Sequence, residues 1–154
     1  MMINKILKYY YDQGVRELVE SQLDPKQCLN SKTVDLYNKI NIKDVRSATF
    51  YSLGKAKMLQ NPVILIVDEN YISSCYSGLT EAWFQRQPII LISYGINNNK
   101  YLSHLERCLD RIIYYSDNIL NEISEVKDIK GPILICVEEK NTYDLEIDYT
   151  QPLL

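Results

Sequence analysis

The sequence predicts an α/β fold, a mostly parallel, doubly wound sheet with helices on both faces in a three-layer sandwich. Three observations carry this. The apolar runs Val63 to Val67, Ile89 to Ile92 and Ile133 to Val137 are continuous rather than alternating, as interior parallel strands buried on both faces must be. The segments between them carry apolar residues at helical spacing, so strands and helices alternate. Turn and breaker residues stand at the junctions: Gln60-Asn61-Pro62, Gln87-Pro88 and Gly131-Pro132.

Taken in order, Ile3, Ile6, Leu7 and Tyr10 recur at helical spacing and lead past Gly14 into a strand over Val15 to Val19. Asp24-Pro25 reads as an N-cap and first turn, and Ser31 as another start before Val34, Leu36 and Tyr37. Ile40 and Ile42 suggest a short strand. Asp44 then caps a helix whose apolar face is Ala48, Tyr51, Leu53, Ala56 and Leu59.

After the strand at Val63 comes a loop, Asp68 to Ile72. Ser73 or Ser74 opens a helix carrying Leu79, Ala82, Trp83 and Phe84. Gly95 to Lys100, with three asparagines, is a loop at the C-terminal end of the next strand, where open α/β sheets bind ligands. Ile112 to Tyr115 reads as a strand and Ser116 or Asp117 as the cap of a helix through Ile119, Leu120 and Ile123. The tail, residues 139–154, is expected to be irregular.

At 154 residues the chain fits a single domain, 1–154, able to bury roughly 70% of its unfolded surface. A net charge of -3 argues against a phosphate-backbone binder, which needs clustered Lys and Arg, so nucleic acid is not an expected partner. Apolar runs are far shorter than the roughly 20 residues a bilayer span needs, and the N-terminus lacks a leader pattern, so a cytoplasmic protein without membrane association is expected. Cys28, Cys75, Cys108 and Cys136 are widely separated and the only histidine is His104. That spacing predicts no metal site, and reduced cysteines buried in a core.

The segment Asp44-Val45-Arg46-Ser47-Ala48-Thr49-Phe50-Tyr51-Ser52-Leu53-Gly54-Lys55-Ala56 resembles the Asp-Glu-Arg-Ser-Ala-x-Phe-x-x-Leu-Gly-x-Ala helix start of thiamine diphosphate-dependent enzymes. The resemblance is to their N-terminal, pyrimidine-binding domain, in the menaquinone-pathway carboligase and acetolactate synthase-like group. Asn61 to Val67 is similar to the strand before that family's Ser-Gly-Thr or Gly-Pro-Gly turn, Leu79 to Pro88 to its following helix, and Gly131 to Ile135 to its closing Gly-Pro-Val-x-Ile strand.

In that family a glutamate hydrogen-bonds the cofactor's pyrimidine ring and favours the imino tautomer that takes the thiazolium C2 proton. Val45 occupies the matching position and can neither donate nor accept that proton, so the resemblance implies a degenerate catalytic site with no catalytic residue of its own. Glyoxylate carboligase, in the same superfamily, also carries a valine there. Asp68-Glu69-Asn70 replaces the glycine-containing turn. Cofactor-binding residues carried over by resemblance are Val45, Asp68, Glu69, Asn70 and Ser74. Carboxylates just before a helix also serve its N-terminus, which is the structural alternative for Asp68 and Glu69.

The chain holds no Gly-Asp-Gly metal motif, so thiamine diphosphate would be held with Mg²⁺ supplied through a partner domain. Sulfopyruvate and phosphonopyruvate decarboxylases include versions with the two domains on separate chains. The implied partners are a second copy in a homodimer, a separate diphosphate-domain subunit, or both. Thirteen tyrosines suit an interface as well as half-buried faces. Two alternatives stay open: a non-catalytic interaction or regulatory module that kept the fold, and an unrelated small-ligand binder using Asp68 to Ile72 and Gly95 to Lys100.

Overall fold

The computed structural model describes residues 2–23, 32–95 and 102–137. Its centre is a six-stranded sheet of β1 (Glu17–Ser21), β2 (Asn38–Asn41), β3 (Val63–Asp68), β4 (Ile89–Tyr94), β5 (Arg111–Ile113) and β6 (Ile133–Val137). The order is β2-β1-β3-β4-β6-β5, and every neighbouring pair is parallel. Helices α1 (Met2–Asp12), α2 (Lys32–Asp35) and α6 (Ile119–Glu125) cover one face. The other is covered by α3 (Val45–Leu59), α4 (Tyr76–Gln85) and α5 (Leu102–Leu105). This is the three-layer α/β sandwich expected.

The unbroken apolar runs explain the layering, because alternate residues of one strand feed opposite cores. Ile64 and Ile66 pack toward α1, while Val63, Leu65 and Val67 pack toward α3. All five are fully buried, which only a strand with neighbours on both sides and helices on both faces permits.

Several expected boundaries move. β1 begins at Glu17, not Val15, because Gly14 (φ 99°) closes α1 and the Val15 amide still bonds the Tyr10 carbonyl at 3.0 Å. The apolar face of α3 does not include Tyr51 or Leu59, both exposed. Thr49 and Ser52 take inward positions instead, each donating its hydroxyl back to the carbonyl four residues earlier, at 2.8 Å. Phe84 is exposed at 69%.

Asp68 to Ile72 is not a loop. Asp68 ends β3, and Glu69–Cys75 is a 3-10 helix that runs directly into α4. Ser73 and Ser74 therefore lie inside helical turns, and no side-chain cap is made at Cys75 because the preceding helix already supplies the carbonyls. α6 is preceded by Asn118 rather than opened by Ser116 or Asp117; the Ser116 hydroxyl accepts from the Asn118 amide at 3.2 Å. The Asp24-Pro25 and Ser31 helix signals, residues 96–100 and the tail lie outside the described residues.

Strand order positions the site. The chain steps from β1 outward to β2, returns past β1 to β3, and then proceeds the other way to β4. The helices that follow β1 and β3, α2 and α4, lie on opposite faces, so the strand order reverses between these two strands, the kind of place where open α/β sheets bind ligands.

Candidate functional site

The start of α3 stands at the C-terminal end of β1. Asp44 caps the helix, accepting from the Ser47 amide at 2.9 Å, and the Ser47 hydroxyl followed by that amide holds its carboxyl below the usual carboxylate range. The Lys43 carbonyl accepts from Ser21 Oγ at 3.2 Å and from Gln22 Nε2 at 2.8 Å, tying the approach to α3 onto the end of β1. Val45 is thus fixed by both its helix and its neighbouring strand.

Its side chain is only 3% exposed and shares an apolar cluster with Val19, Val67 and Ile72. Its carbonyl takes the Thr49 hydroxyl. Thr49 in turn lies against Gly78 of α4, where an added Cβ would sit 2.5 Å from Thr49 Cγ2. A glycine is required there because the two helices cross at backbone distance.

At the end of β3, Asp68 Oδ1 accepts from the Asn70 amide at 2.9 Å and from Asn70 Nδ2 at 2.8 Å. Asp68 therefore caps the 3-10 helix, the structural role carboxylates play at such starts. Glu69 leans over the end of β4: its carboxylate would lie 3.1 Å from a Cβ on Gly95, whose φ of 79° also favours glycine. The Gly95 amide bonds the Val137 carbonyl at 3.0 Å.

Val45, Asp68, Glu69 and Asn70 are thus brought to one edge of the sheet, and α3 packs on the 3-10 helix that follows Asp68. Ser74 is exposed, further along that helix.

One group at this edge escaped the sequence reading. Glu20 of β1 is 4% exposed, with Oε1 4.0 Å from Lys39 Nζ. It sits between Val19 and Ser21, and Val19 points toward α3, so Glu20 points to the α1 side. It is therefore across the sheet from Val45 and cannot stand in for a glutamate at that position. The signal was visible as a single acid inside Leu18-Val19-Glu20-Ser21.

Among the described residues, no group of three or more His, Cys, Asp or Glu side chains is arranged to hold a metal ion. Cys75, Cys108 and Cys136 are buried and free. Burial pushes the Cys75 thiol up to about 11, against a lowering hydrogen bond from Thr49, and the Cys136 thiol up to about 12. Both remain protonated at neutral pH and are poor nucleophiles. His104 is exposed on α5, beside a cleft of about 310 Å³ shared with Ser73, Tyr76 and Leu105. No helix among the described residues is long and apolar enough to cross a membrane.

Fold and edge geometry define a parallel α/β sandwich whose strand order reverses between β1 and β3. No family model matches the chain. Over 122 residues, 73% of its length, it is 25% identical to 2-succinyl-5-enolpyruvyl-6-hydroxy-3-cyclohexene-1-carboxylate synthase of Flavobacterium psychrophilum. Over 103 residues, 60% of its length, it is 31% identical to the synthase of the same name from Bacillus pumilus. The chain covers 22% and 18% of these two proteins, about a fifth of each. The kinship is distant and partial, and it bears out in coarse form the likeness to thiamine diphosphate-dependent carboligases.

Proposed function

We propose that this chain is the pyrimidine-domain subunit of a split thiamine diphosphate-dependent carboligase or decarboxylase, contributing one half of the cofactor site. The observation that supports it best is the placement of the motif-bearing start of α3. Its Asp44 cap and the Lys43 carbonyl tie the start of α3, with Val45, to the C-terminal end of β1, beside β3. That is where an open parallel sheet receives a ligand.

The residues at this edge suit the pyrimidine half of the cofactor rather than its diphosphate. Asp68 and Glu69 offer acceptors to an exocyclic amine, Asn70 and Ser74 offer donors, and Val45 would contact the ring only if the start of α3 shifts to uncover it. In this reading the diphosphate half and its Mg²⁺ are held by a separate subunit. When bound, the cofactor supplies the electron sink for the chemistry at its thiazolium ring. Val45 holds no proton, so this half forgoes acid-base assistance commonly worth about 10² to 10⁴ in rate.

The chain also pairs with a second copy in this reading. Light scattering at micromolar concentration should then give twice the chain mass, whereas a strict monomer removes the homodimer.

A second reading, a non-catalytic interaction or regulatory module, draws on Val45 itself: at 3% exposure it is already largely covered by its own chain. Calorimetric titration of thiamine diphosphate with Mg²⁺ separates the two, performed on the protein alone and with a purified diphosphate-domain subunit. Binding only in the mixture is expected. No binding in either case leaves the module.

A further inference from the structure

A cavity lies at the N-terminal edge of the sheet, away from Val45 and Asp68. α1 ends there at Asp12, and the chain doubles back through Gly14 to Val15, whose amide donates to the Tyr10 carbonyl at 3.0 Å. Asn61 fastens this turn to the approach of β3, its Nδ2 donating to the Gly14 carbonyl at 3.0 Å. Across from it, the residues after α6 turn at Asp128, held in left-handed conformation with φ 47°. The cavity between the two turns is about 410 Å³, a size typical of small-molecule sites. Val15, Pro62, Val126 and Ile129 supply its apolar lining.

Its polar lining is not used by the fold. Tyr10 lines the cavity and is 3% exposed, and its hydroxyl has no hydrogen-bond partner among the described residues. Packing alone does not ask for that hydroxyl, since Ile3, Ile6 and Leu7 fill the rest of the buried face of α1. Buried polar atoms without a partner are rare, and each calls for an explanation. Burial, followed by the neighbouring Tyr9 and Tyr37, raises the Tyr10 pKa above the usual tyrosine value, so the group stays protonated and able to donate. The Tyr9 ring stands edge-on to it at 5.2 Å. Lys127 and Asp128 line the same cavity, exposed, adjacent and opposite in charge. Neither forms an ion pair among the described residues. Gln13 adds a side-chain amide. A buried donor and a cation suit a carboxylate, an anion and an amide oxygen suit an ammonium, and the apolar lining suits a hydrocarbon side chain.

We propose that this cavity binds a free α-amino acid with an apolar side chain, its carboxylate taken by Tyr10 and Lys127 and its ammonium by Asp128 and Gln13. The site is independent of the cofactor reading, because it lies at the opposite edge of the sheet. It is tested by following amide chemical shifts of the labelled full chain as L-leucine or, separately, L-phenylalanine is added to about 20 mM, enough to register millimolar affinities. Saturable shifts are expected at Gln13, Val126, Lys127 and Asp128, with Val45 and Asp68 unmoved. The analogues of the bound amino acid that lack the ammonium or the carboxylate should bind several-fold more weakly. Tyr10→Phe keeps the ring and should weaken binding about tenfold. Lys127→Gln and Asp128→Asn change exposed side chains outside the core, and each should weaken binding several-fold. Asp128→Asn should leave binding of the analogue without an ammonium unchanged. No saturable shift at these residues with either amino acid overturns the proposal. So does equal binding of the analogue without an ammonium, which would assign the cavity to simple carboxylates. Amino-acid binding that Tyr10→Phe and Asp128→Asn both leave unchanged overturns it as well.

Discussion

The two edges of the sheet are built differently. At the N-terminal edge, polar groups close on one another. Arg86, in left-handed conformation at the end of α4, makes a bidentate pair with Asp110 at 2.9 and 2.5 Å, pressed against Gly131. Asn61 Nδ2 donates to the Gly14 carbonyl at 3.0 Å, and the Asp110 amide to the Pro132 carbonyl at 2.8 Å. At the C-terminal edge acids gather on both faces: Glu20 is buried near the end of β1 beside Lys39, while Asp68 ends β3 and Glu69 follows it. One edge ties the layers together, and the other carries the groups on which the proposed function rests.

The contrast can be broken from either side. The largest effect is expected from Val45→Glu, which places a carboxyl among Val19, Val67 and Ile72. A carboxyl raised by about two units through burial costs about 3 kcal/mol once ionised. Because the folded-state value is raised, the penalty is absent below the unfolded value near 4 and grows as pH rises to 7. Urea unfolding at pH 4 and pH 7 reads the difference.

Next comes Gly78→Ala, whose Cβ would press on Thr49 behind Val45. Overpacking of this kind costs about 1 to 3 kcal/mol, seen as a lower urea midpoint with unchanged slope. At the opposite edge Asp110→Ala removes the Arg86 partner. Both side chains are partly solvated, so the loss should be about 0.2 to 1 kcal/mol and shrink in high salt. Asp44→Ala removes the side-chain cap of α3 and should have a pH-dependent effect. The lowered Asp44 value means the cap contributes above the unfolded carboxylate value and is lost as pH falls through the folded one, so variant and parent should converge in acid.

What was legible in the sequence follows the same division. β3, β4 and β6 announce themselves because burial on both faces demands continuous apolar runs, and Pro62, Pro88 and Pro132 mark where each begins. β1 lies two residues later than expected because its C-terminal end, Glu20-Ser21, is polar and reads as loop. The 3-10 helix after Asp68 has no period that distinguishes it from a turn, and its Asp-Glu-Asn start favours either. Insertion of β6 between β4 and β5 depends on long-range pairing that local pattern does not encode. Thr49 and Ser52 hide their hydroxyls by bonding the previous turn, which lets polar letters occupy a buried face.

At the candidate site, Val45 was found through a motif of helix letters around it, since an isolated valine carries no chemical signal. Glu20 was missed for the opposite reason: its chemistry is plain, but its burial depends on the α1 layer and Lys39.

The most direct test of the division between edges is amide chemical-shift mapping of the labelled chain as thiamine diphosphate and Mg²⁺ are added with the diphosphate-domain subunit present. The account predicts cofactor-dependent shifts at Val45, Asp68, Glu69 and Asn70, with Arg86, Asp110 and Gly131 unmoved. Shifts confined to the Arg86-Asp110 edge, or none at either edge, would contradict it.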